Sequence, residues 1–441
     1  MKIFGTDGAR GVACTELTTE LSMQIGQALA TLLYKENDRE ANICIGMDTR
    51  ISCEILECAL IAGITSAGGN VFRLGVLPTP AVASIVLVNG YDAGIVISAS
   101  HNSFEFNGIK IFGHNGYKLL DSAEEQIESL VLDNPKNLRR VSGERVGEII
   151  DRTANATRYI KIIGEIDNDG KSAYDLSGIR AVIDCANGSA STTARKLFDA
   201  TGIQHHIISS EPNGININDK CGSTNMKVLQ SAVRRKNYDC GIAFDGDADR
   251  CLLVDENGNM VDGDHMLAIC AKELGYTDIV VTVMTNIGFF KFAKENNINV
   301  HVTQVGDRYV LEKMLSEGYK IGGEQSGHVI FLPESTTGDG QLTALKVLSV
   351  MKKTGKTLSE LASVMHSYPQ VLKNVKVSKE VKAIWREKVD LSKYEKILGE
   401  NGRVLVRESG TEPLIRVMLE GENADEIATY ADEIIEEIGK L

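Results

Sequence analysis

Residues 238–254 run Y-D-C-G-I-A-F-D-G-D-A-D-R-C-L-L-V, from Tyr238 to Val254. The first part, 238–245, is a short apolar run without polar alternation. That is the pattern of a strand buried on both faces, and 251–254 reads as a second strand. Between them Asp245, Asp247 and Asp249 alternate, so an extended or looped backbone can aim three carboxylates at one point. Carboxylates packed that closely repel unless a cation sits among them. An all-oxygen set suits Mg²⁺, Ca²⁺ or Mn²⁺ rather than zinc. An EF-hand loop also begins with alternating acids, and Glu256 falls where its last ligand would be. Its sixth position needs glycine for a sharp turn, however, and here that position is Arg250, so an EF-hand is rejected. A solvated acidic turn is the plain alternative.

The same strand-then-helix pattern recurs on either side. Residues 41–47 read as a strand before a helix over 52–67, and 92–98 as another strand. Residues 179–185 read as a strand before a helix over 191–201, and 278–284 as a strand before a helix near 288–296. Alternation of this kind predicts an α/β fold with parallel sheets covered on both faces. Breaks are expected near residue 150, just after Arg250 and near 367–369, giving domains 1–152, 153–250, 251–367 and 368–441. Beyond the last break the pattern changes. Strands are predicted over 371–377, 403–406 and 414–419, and a helix over 424–438 with Asn423 as its N-cap and Ile427, Ala431, Ile434, Ile435 and Ile438 on one face. This predicts a small C-terminal α+β domain with mostly antiparallel strands. No short-period repeat is evident.

Length and charge narrow the function classes. A chain of 441 residues is expected to form two to four domains. Its 47 basic and 60 acidic residues leave a net charge of -13, against the basic surplus of a duplex nucleic-acid binder. The longest apolar stretches, such as 81–88, are too short to span a bilayer, and MKIFGTDGARG carries no signal core. Nine cysteines without a CxxC pair read as reduced thiols of a cytoplasmic protein. The expected partner is therefore a small molecule, not nucleic acid or a membrane. An anionic ligand remains open where arginines and lysines converge.

Three further loops carry chemistry. Ser98-Ala-Ser-His-Asn-Ser103 follows a predicted strand, at the carboxyl end where α/β sheets bind ligands. A serine beside a histidine there suits a nucleophile or a phosphate carrier, and Lys110 follows as a charge clamp or acid/base candidate. No GxSxG elbow surrounds the serine, which disfavours an α/β-hydrolase. Gly322-Gly-Glu-Gln-Ser-Gly-His328 offers small residues for close backbone approach and polar groups that can read sugar hydroxyls. Arg407-Glu-Ser-Gly-Thr-Glu-Pro-Leu-Ile-Arg416 lies between two predicted strands. Its guanidinium forks, hydroxyls and loop N–H groups suit a phosphate dianion. Each loop has an ordinary structural alternative, a polar turn or a decorated hairpin. No Walker nucleotide motif, GxGxxG fingerprint or HExxH is present.

Together these loops resemble the α-D-phosphohexomutases from one end of the chain to the other. Phe4-Gly-Thr-Asp-Gly-Ala-Arg-Gly11 is similar to that family's opening motif, and Ser100 stands at its phosphorylated serine. Asp245 to Arg250 resembles its metal loop, Gly322 to His328 its sugar loop, and Arg407 to Arg416 its phosphate loop. Gly46-Met-Asp-Thr-Arg50, Pro78-Thr-Pro80, Asp184-Cys-Ala-Asn-Gly188, Cys221-Gly-Ser-Thr224 and Gly306-Asp-Arg-Tyr309 fit as well. Gln325, where other branches usually carry methionine, leans toward the glucosamine branch. Ser103 stands where the family usually has proline, which predicts a looser loop after Ser100.

The resemblance implies four domains around a central cleft, three of them related α/β units. It implies interconversion of glucosamine 6-phosphate and glucosamine 1-phosphate, feeding UDP-N-acetylglucosamine and cell-wall precursor synthesis. Ser100 would carry the phosphoryl group, with Mg²⁺ on Ser100, Asp245, Asp247 and Asp249. Glucosamine 1,6-bisphosphate or glucose 1,6-bisphosphate would serve as intermediate or activator. Arg10 would add positive charge, and Lys110, His101 and His328 are its acid/base candidates. Arg250, Glu324, Ser326, Arg407, Ser409, Gly410, Thr411 and Arg416 would bind the substrate. A homodimer is left open. The alternatives are a phosphomannomutase or phosphoglucomutase of the same family, a metal-dependent sugar phosphatase, and a non-catalytic sugar-phosphate sensor.

Overall fold

The computed structural model describes residues 2–5, 7–408 and 413–441. Its first sheet takes β1 (Phe4–Gly5), β2 (Gly8–Val12), β3 (Asn42–Met47), β4 (Asn70–Val76), β5 (Ala93–Ile97), β6 (Phe106–Gly113) and β7 (Ile149–Asp151), in the order β1-β2-β6-β5-β3-β4-β7. The second takes β8 (Arg180–Asp184), β9 (Gln204–Ile208), β10 (Cys240–Phe244), β11 (Cys251–Asp255) and β12 (Met260–Val261), in the order β12-β11-β10-β8-β9. The third takes β13 (Asp278–Thr282), β14 (Asn299–Thr303), β15 (Ile321–Gly323) and β16 (Val329–Phe331), in the order β14-β13-β15-β16.

One topology therefore occurs three times. The runs β4-β3-β5-β6, β9-β8-β10-β11 and β14-β13-β15-β16 share a single order. In each run the first two strands are separated in sequence by one helix, Cys53–Ser66, Ala194–Ala200 or Ile287–Glu295. The next step in each uses Thr79–Asn89, Lys227–Lys236 or Asp307–Glu317. These are the three related α/β units.

The sheets are mixed, which corrects the expectation of parallel sheets. The pairs β3-β4, β3-β5, β8-β9, β8-β10 and β13-β15 are parallel. The pairs β5-β6, β10-β11 and β15-β16 are antiparallel. The reason is connection length. Only 98–105, 245–250 and 324–328 separate those strands, too few residues for the crossover that a parallel neighbour requires. The break expected after Arg250 is corrected on the same ground. It would cut the β10-β11 hairpin, and the second sheet continues through Met260–Val261.

The chain divides into two compact units, Met1–Val283 with His301–Ala362, and Met284–Val300 with Ser363–Leu441. In the first, Ile43 and Ile45 of β3 are fully buried with Ile25 and Leu29 of the helix Thr19–Asn37 and with Leu56, Leu60 and Ile64 of Cys53–Ser66. In the second, β17 (Gln370–Lys376), β18 (Arg403–Glu408) and β19 (Leu414–Glu420) form an antiparallel sheet in the order β17-β19-β18. The helix Ala424–Gly439 packs Ile427, Ala431, Ile434 and Ile438 into the core of that unit, beside Trp385 and Ile415. Asn423 caps it by accepting from the Asp425 and Glu426 N–H groups. This is the small α+β unit expected. All nine cysteines are free. Among the described residues no helix is long and apolar enough to cross a membrane.

Candidate active site

The loop that closes the β5-β6 hairpin carries Ser100. Its backbone is left-handed there, with φ 52°, a conformation that costs a non-glycine residue about 1–3 kcal/mol and persists only when its surroundings hold it. The hold is dense. Ser98 Oγ donates to Asp48 Oδ2 at 2.6 Å and accepts from the Ser100 N–H at 2.9 Å. Arg50, fully buried beside Asp48, donates to the Ser100 and Asn102 carbonyls, both at 2.9 Å, to Phe106 O at 3.1 Å and to Ser103 O. Asn218 adds bonds to the Ser100 and Asn102 carbonyls at 2.9 and 3.0 Å. These braces grip main-chain carbonyls, so they hold the loop whatever side chain stands at 103. They counter the looseness predicted from Ser103.

The hairpin loop 245–250 meets this one directly. Ser100 Oγ donates to Asp245 Oδ2 at 2.7 Å, across 145 positions of sequence. Gly246 makes the approach possible, because a Cβ there would stand 2.5 Å from the Ser100 carbonyl oxygen. Asp245, Asp247 and Asp249 are all buried, each with an oxygen inside one 4.8 Å cluster. Burial, reinforced by Asp249 and Asp247, pushes the Asp245 carboxyl well up. Burial opposes the Asp249 charge too, but Lys110, His328 and Arg250 outweigh it and hold that carboxyl down.

Asp247 Oδ1 and Asp249 Oδ1 are buried with no protein donor. Three clustered carboxylates with two such oxygens fit a hard divalent cation. Unpaired buried carboxylate oxygens are otherwise costly.

Cations surround the cluster. Lys110, on β6 and almost wholly buried, reaches Asp247 Oδ2 at 2.8 Å, Asp7 Oδ2 at 3.3 Å and Asp249 Oδ2 at 3.5 Å. Burial works against its charge, yet Asp247, Asp7 and Asp249 more than offset it and raise the ammonium above its usual range. Arg250 donates its N–H to Asp245 Oδ1 at 3.2 Å, and a side-chain nitrogen lies 3.2 Å from His101 Nδ1. Arg10 pairs with Asp7.

The two histidines differ. His101 Nδ1 is 3.3 Å from Ser100 Oγ. Partial burial, then Arg250 and Arg10, push its ring down to about 4, although its surface is largely exposed to solvent. His328 is buried, with Nδ1 3.7 Å from Asp249 Oδ2. Burial disfavours a charge on this ring, but Asp249, Asp307 and Glu324 outweigh it and raise the ring above its ordinary value. The Gly338 N–H donates to Nε2 at 3.0 Å. That nitrogen therefore faces a donor, which places the ring proton of the neutral form on Nδ1, towards Asp249.

The loop 324–328 lies beside the aspartates, since the Cys251 N–H donates to Gly327 O at 3.1 Å. Glu324 Oε1 accepts from the Gly306 N–H at 3.2 Å, and Ser326 Oγ is 3.4 Å from Glu324 Oε2. In the second unit, Arg407 faces Arg416 directly across the β18-β19 ladder. Burial first, then Arg416, lowers the Arg407 guanidinium. Ser409, Gly410 and Thr411 lie outside the described residues.

Ser100, His101, Lys110, Asp245, Asp247, Asp249, Arg250 and His328 thus come together within the first unit, with Arg10 and Glu324 around them. Sequence reasoning assigned no role to Asp7, Asp48, Arg50, Thr79, Lys118, Asn218 or Asp307. Asp7 ties Lys110, Lys118 and Arg10 together, and Lys118 also bonds Asp307. Five of them stood inside motifs already singled out: 4–11, 46–50, 78–80 and 306–309.

Three mixed α/β sheets of one topology, a small α+β unit and a buried serine on an aspartate cluster define a phosphohexomutase. Sequence models of phosphoglucomutase/phosphomannomutase α/β/α domains I, II and III match residues 1–137, 157–258 and 262–368, and that of the C-terminal domain matches 372–437. The chain belongs to the phosphoglucomutase/phosphomannomutase family, a family of isomerases. It is 49% identical over 451 residues to a phosphoglucosamine mutase of Clostridium acetobutylicum, covering 100% of this chain and 99% of the relative. Among solved structures it is similar to a phosphoglucomutase/phosphomannomutase family protein from Burkholderia thailandensis, with a TM-score of 0.82, 21% identity and coverage of 99% and 96%. It is also similar in fold to Aspergillus fumigatus N-acetylphosphoglucosamine mutase in complex with GlcNAc-6P and magnesium, with a TM-score of 0.62, 17% identity and coverage of 99% and 95%.

Proposed function

We propose that this chain interconverts glucosamine 6-phosphate and glucosamine 1-phosphate through a phosphoserine at Ser100. The observation that carries the proposal is the 2.7 Å bond from Ser100 Oγ to Asp245 within the aspartate cluster. Full-length similarity to a phosphoglucosamine mutase supports the sugar. Phosphorylated Ser100 gives its phosphoryl group to O1 of glucosamine 6-phosphate. The serine Oγ–P bond breaks, an O1–P bond forms, and the hydroxyl proton leaves to a base. The 1,6-bisphosphate turns over, Ser100 takes the phosphoryl group from O6, and glucosamine 1-phosphate leaves. Its chemistry suits supply of UDP-N-acetylglucosamine.

Transfer of this kind depends on positioning and charge neutralisation. Mg²⁺ held by Asp245, Asp247 and Asp249 would supply Lewis-acid stabilisation of phosphoryl charge. Lys110, held protonated by its three carboxylates, acts as a charge clamp. His101, held neutral, is the better placed acceptor, and His328 orients Asp249. Arg10 and Arg250 add positive charge beside Ser100. Glu324 and Ser326 bind sugar hydroxyls. Arg407, Ser409, Gly410, Thr411 and Arg416 grip the phosphate that is not being transferred, so remote binding energy supports catalysis. Glucose 1,6-bisphosphate primes the enzyme by phosphorylating Ser100.

Two experiments test this. Turnover of glucosamine 6-phosphate should exceed that of glucose and mannose 6-phosphates; a preference for mannose or glucose would move the assignment to another branch. Ser100→Ala should abolish isomerisation, and intact mass after glucose 1,6-bisphosphate should show one added phosphate on the wild type and none on the variant. Retained isomerisation would remove Ser100 from the mechanism. Release of inorganic phosphate as fast as isomerisation would favour a phosphatase.

A further inference from the structure

Asp247 is gripped twice by one residue far away in sequence. Thr79 opens the helix Thr79–Asn89 and is fully buried. Its N–H donates to the Asp247 carbonyl oxygen at 2.9 Å. Its hydroxyl donates to Asp247 Oδ2 at 2.7 Å. Pro78 and Pro80 flank it and have no N–H, so Thr79 is the one main-chain donor the turn 78–80 can offer. The segment between β4 and this helix is thereby fastened to the aspartate loop, 168 positions further on.

The carboxylate of Asp247 is divided by these bonds. Oδ2 takes the Thr79 hydroxyl and the Lys110 ammonium, at 2.7 and 2.8 Å. Oδ1 is buried and has no protein donor. A carboxylate rotates about its Cβ–Cγ bond with little intrinsic preference, so the partners of one oxygen decide where the other points. Two donors on the same oxygen lock that rotation. They also draw charge toward Oδ2 and leave Oδ1 as the open ligand atom. Of the two donors, the Lys110 ammonium sits on a long stem and is shared with Asp7 and Asp249. The hydroxyl of a β-branched residue at a helix start is the stiffer of the two.

We infer that the Thr79 hydroxyl is a positioning group for the metal ligand Asp247, fixing which carboxylate oxygen faces the cation. It thereby makes cation affinity depend on the docking of residues 78–80 against the aspartate loop. The inference rests on the aspartate cluster being a metal site. Outer groups that orient a ligand typically change metal affinity about 10- to 100-fold when removed. A residue that merely fills space would not, provided its volume is kept.

The test is a Mn²⁺ titration of the full-length, chelator-stripped protein, read from the free-ion signal in electron paramagnetic resonance. Thr79→Val keeps the shape and removes the hydroxyl, and is expected to bind Mn²⁺ about 10- to 100-fold more weakly than wild type. Thr79→Ser keeps the hydroxyl and is expected to restore near-wild-type affinity. If Thr79→Val does not fold, Thr79→Ala removes the same hydroxyl and carries the same expectation. Equal Mn²⁺ affinity in wild type and a hydroxyl-free variant overturns the inference while leaving the metal site standing. Equal loss in Thr79→Val and Thr79→Ser overturns it as well, because the hydroxyl would then not be the operative group. A wild type that binds no Mn²⁺ overturns the metal reading itself and the inference with it.

Discussion

Arg50 spends every one of its five N–H donors on the protein. They go to Asp48 Oδ2 and to the carbonyls of Ser100, Asn102, Ser103 and Phe106. Arg407, in the second unit, looks across the β18-β19 ladder at another arginine, Arg416. Like charges directly opposite on a sheet are destabilising, and here burial and the partner both disfavour the Arg407 charge. The first arginine is architecture, a cation whose work is finished when the chain folds. The second stands opposite a like charge, and burial weighs against its own.

Three substitutions test that contrast. Arg50→Met should remove about 3–5 kcal/mol of unfolding free energy, because it strands the buried Asp48 carboxylate and takes one donor from each of four carbonyls. Urea denaturation measures it; a loss below about 1 kcal/mol would mean the Ser100 loop is held by Asn218 and local turns instead. Arg407→Met should leave the denaturation midpoint at or slightly above wild type. It should lower kcat/KM for the sugar phosphate about 10²-fold, the scale of charged hydrogen bonds lost. If it destabilises the protein as Arg50→Met does, the two arginines do not differ in kind.

The smallest effect is expected at His101. Its ring is pushed down to about 4 in the folded chain, against an ordinary value of 6.5. The folded state then binds fewer protons than the unfolded state between those values. The contribution of the neutral ring is complete above about pH 6.5 and is lost as pH falls toward 4. His101→Gln should flatten that part of the stability profile slightly, as measured by thermal unfolding across pH 4 to 7. An unchanged slope would assign the acid limb to the carboxylates.

Much of this was legible along the chain. Strands such as Asn42–Met47 and Arg180–Asp184 announce themselves as apolar runs, and the alternating aspartates mark a cation site through simple repulsion. The alternation of strands and helices reads as all-parallel, although the six residues between Phe244 and Cys251 already forbid a crossover. The threefold relation comes from the family resemblance and not from any period in the residues, because topology, not side-chain identity, is what repeats. Arg50, Thr79 and Asn218 had no local signal of their roles. Their partners lie 50 to 168 positions away, and a hydrogen bond to a distant carbonyl leaves no periodicity in sequence. Ser103 misled for a related reason: proline chemistry speaks of one φ angle, while the loop is secured from outside by a guanidinium.

The short connections of the three hairpins have a consequence for how such a protein can change. Each of these loops joins two strands that are neighbours within one sheet. Its length and chemistry can therefore be rewritten while strand order and register stay as they are. Within 324–328 the side chains at 324–326 have room to change, whereas Gly327 and His328, which touch Cys251 and Asp249, tie this hairpin to the aspartate loop. A scaffold of this form can be altered one hairpin tip at a time, because the strands on either side keep their neighbours whatever the tip becomes.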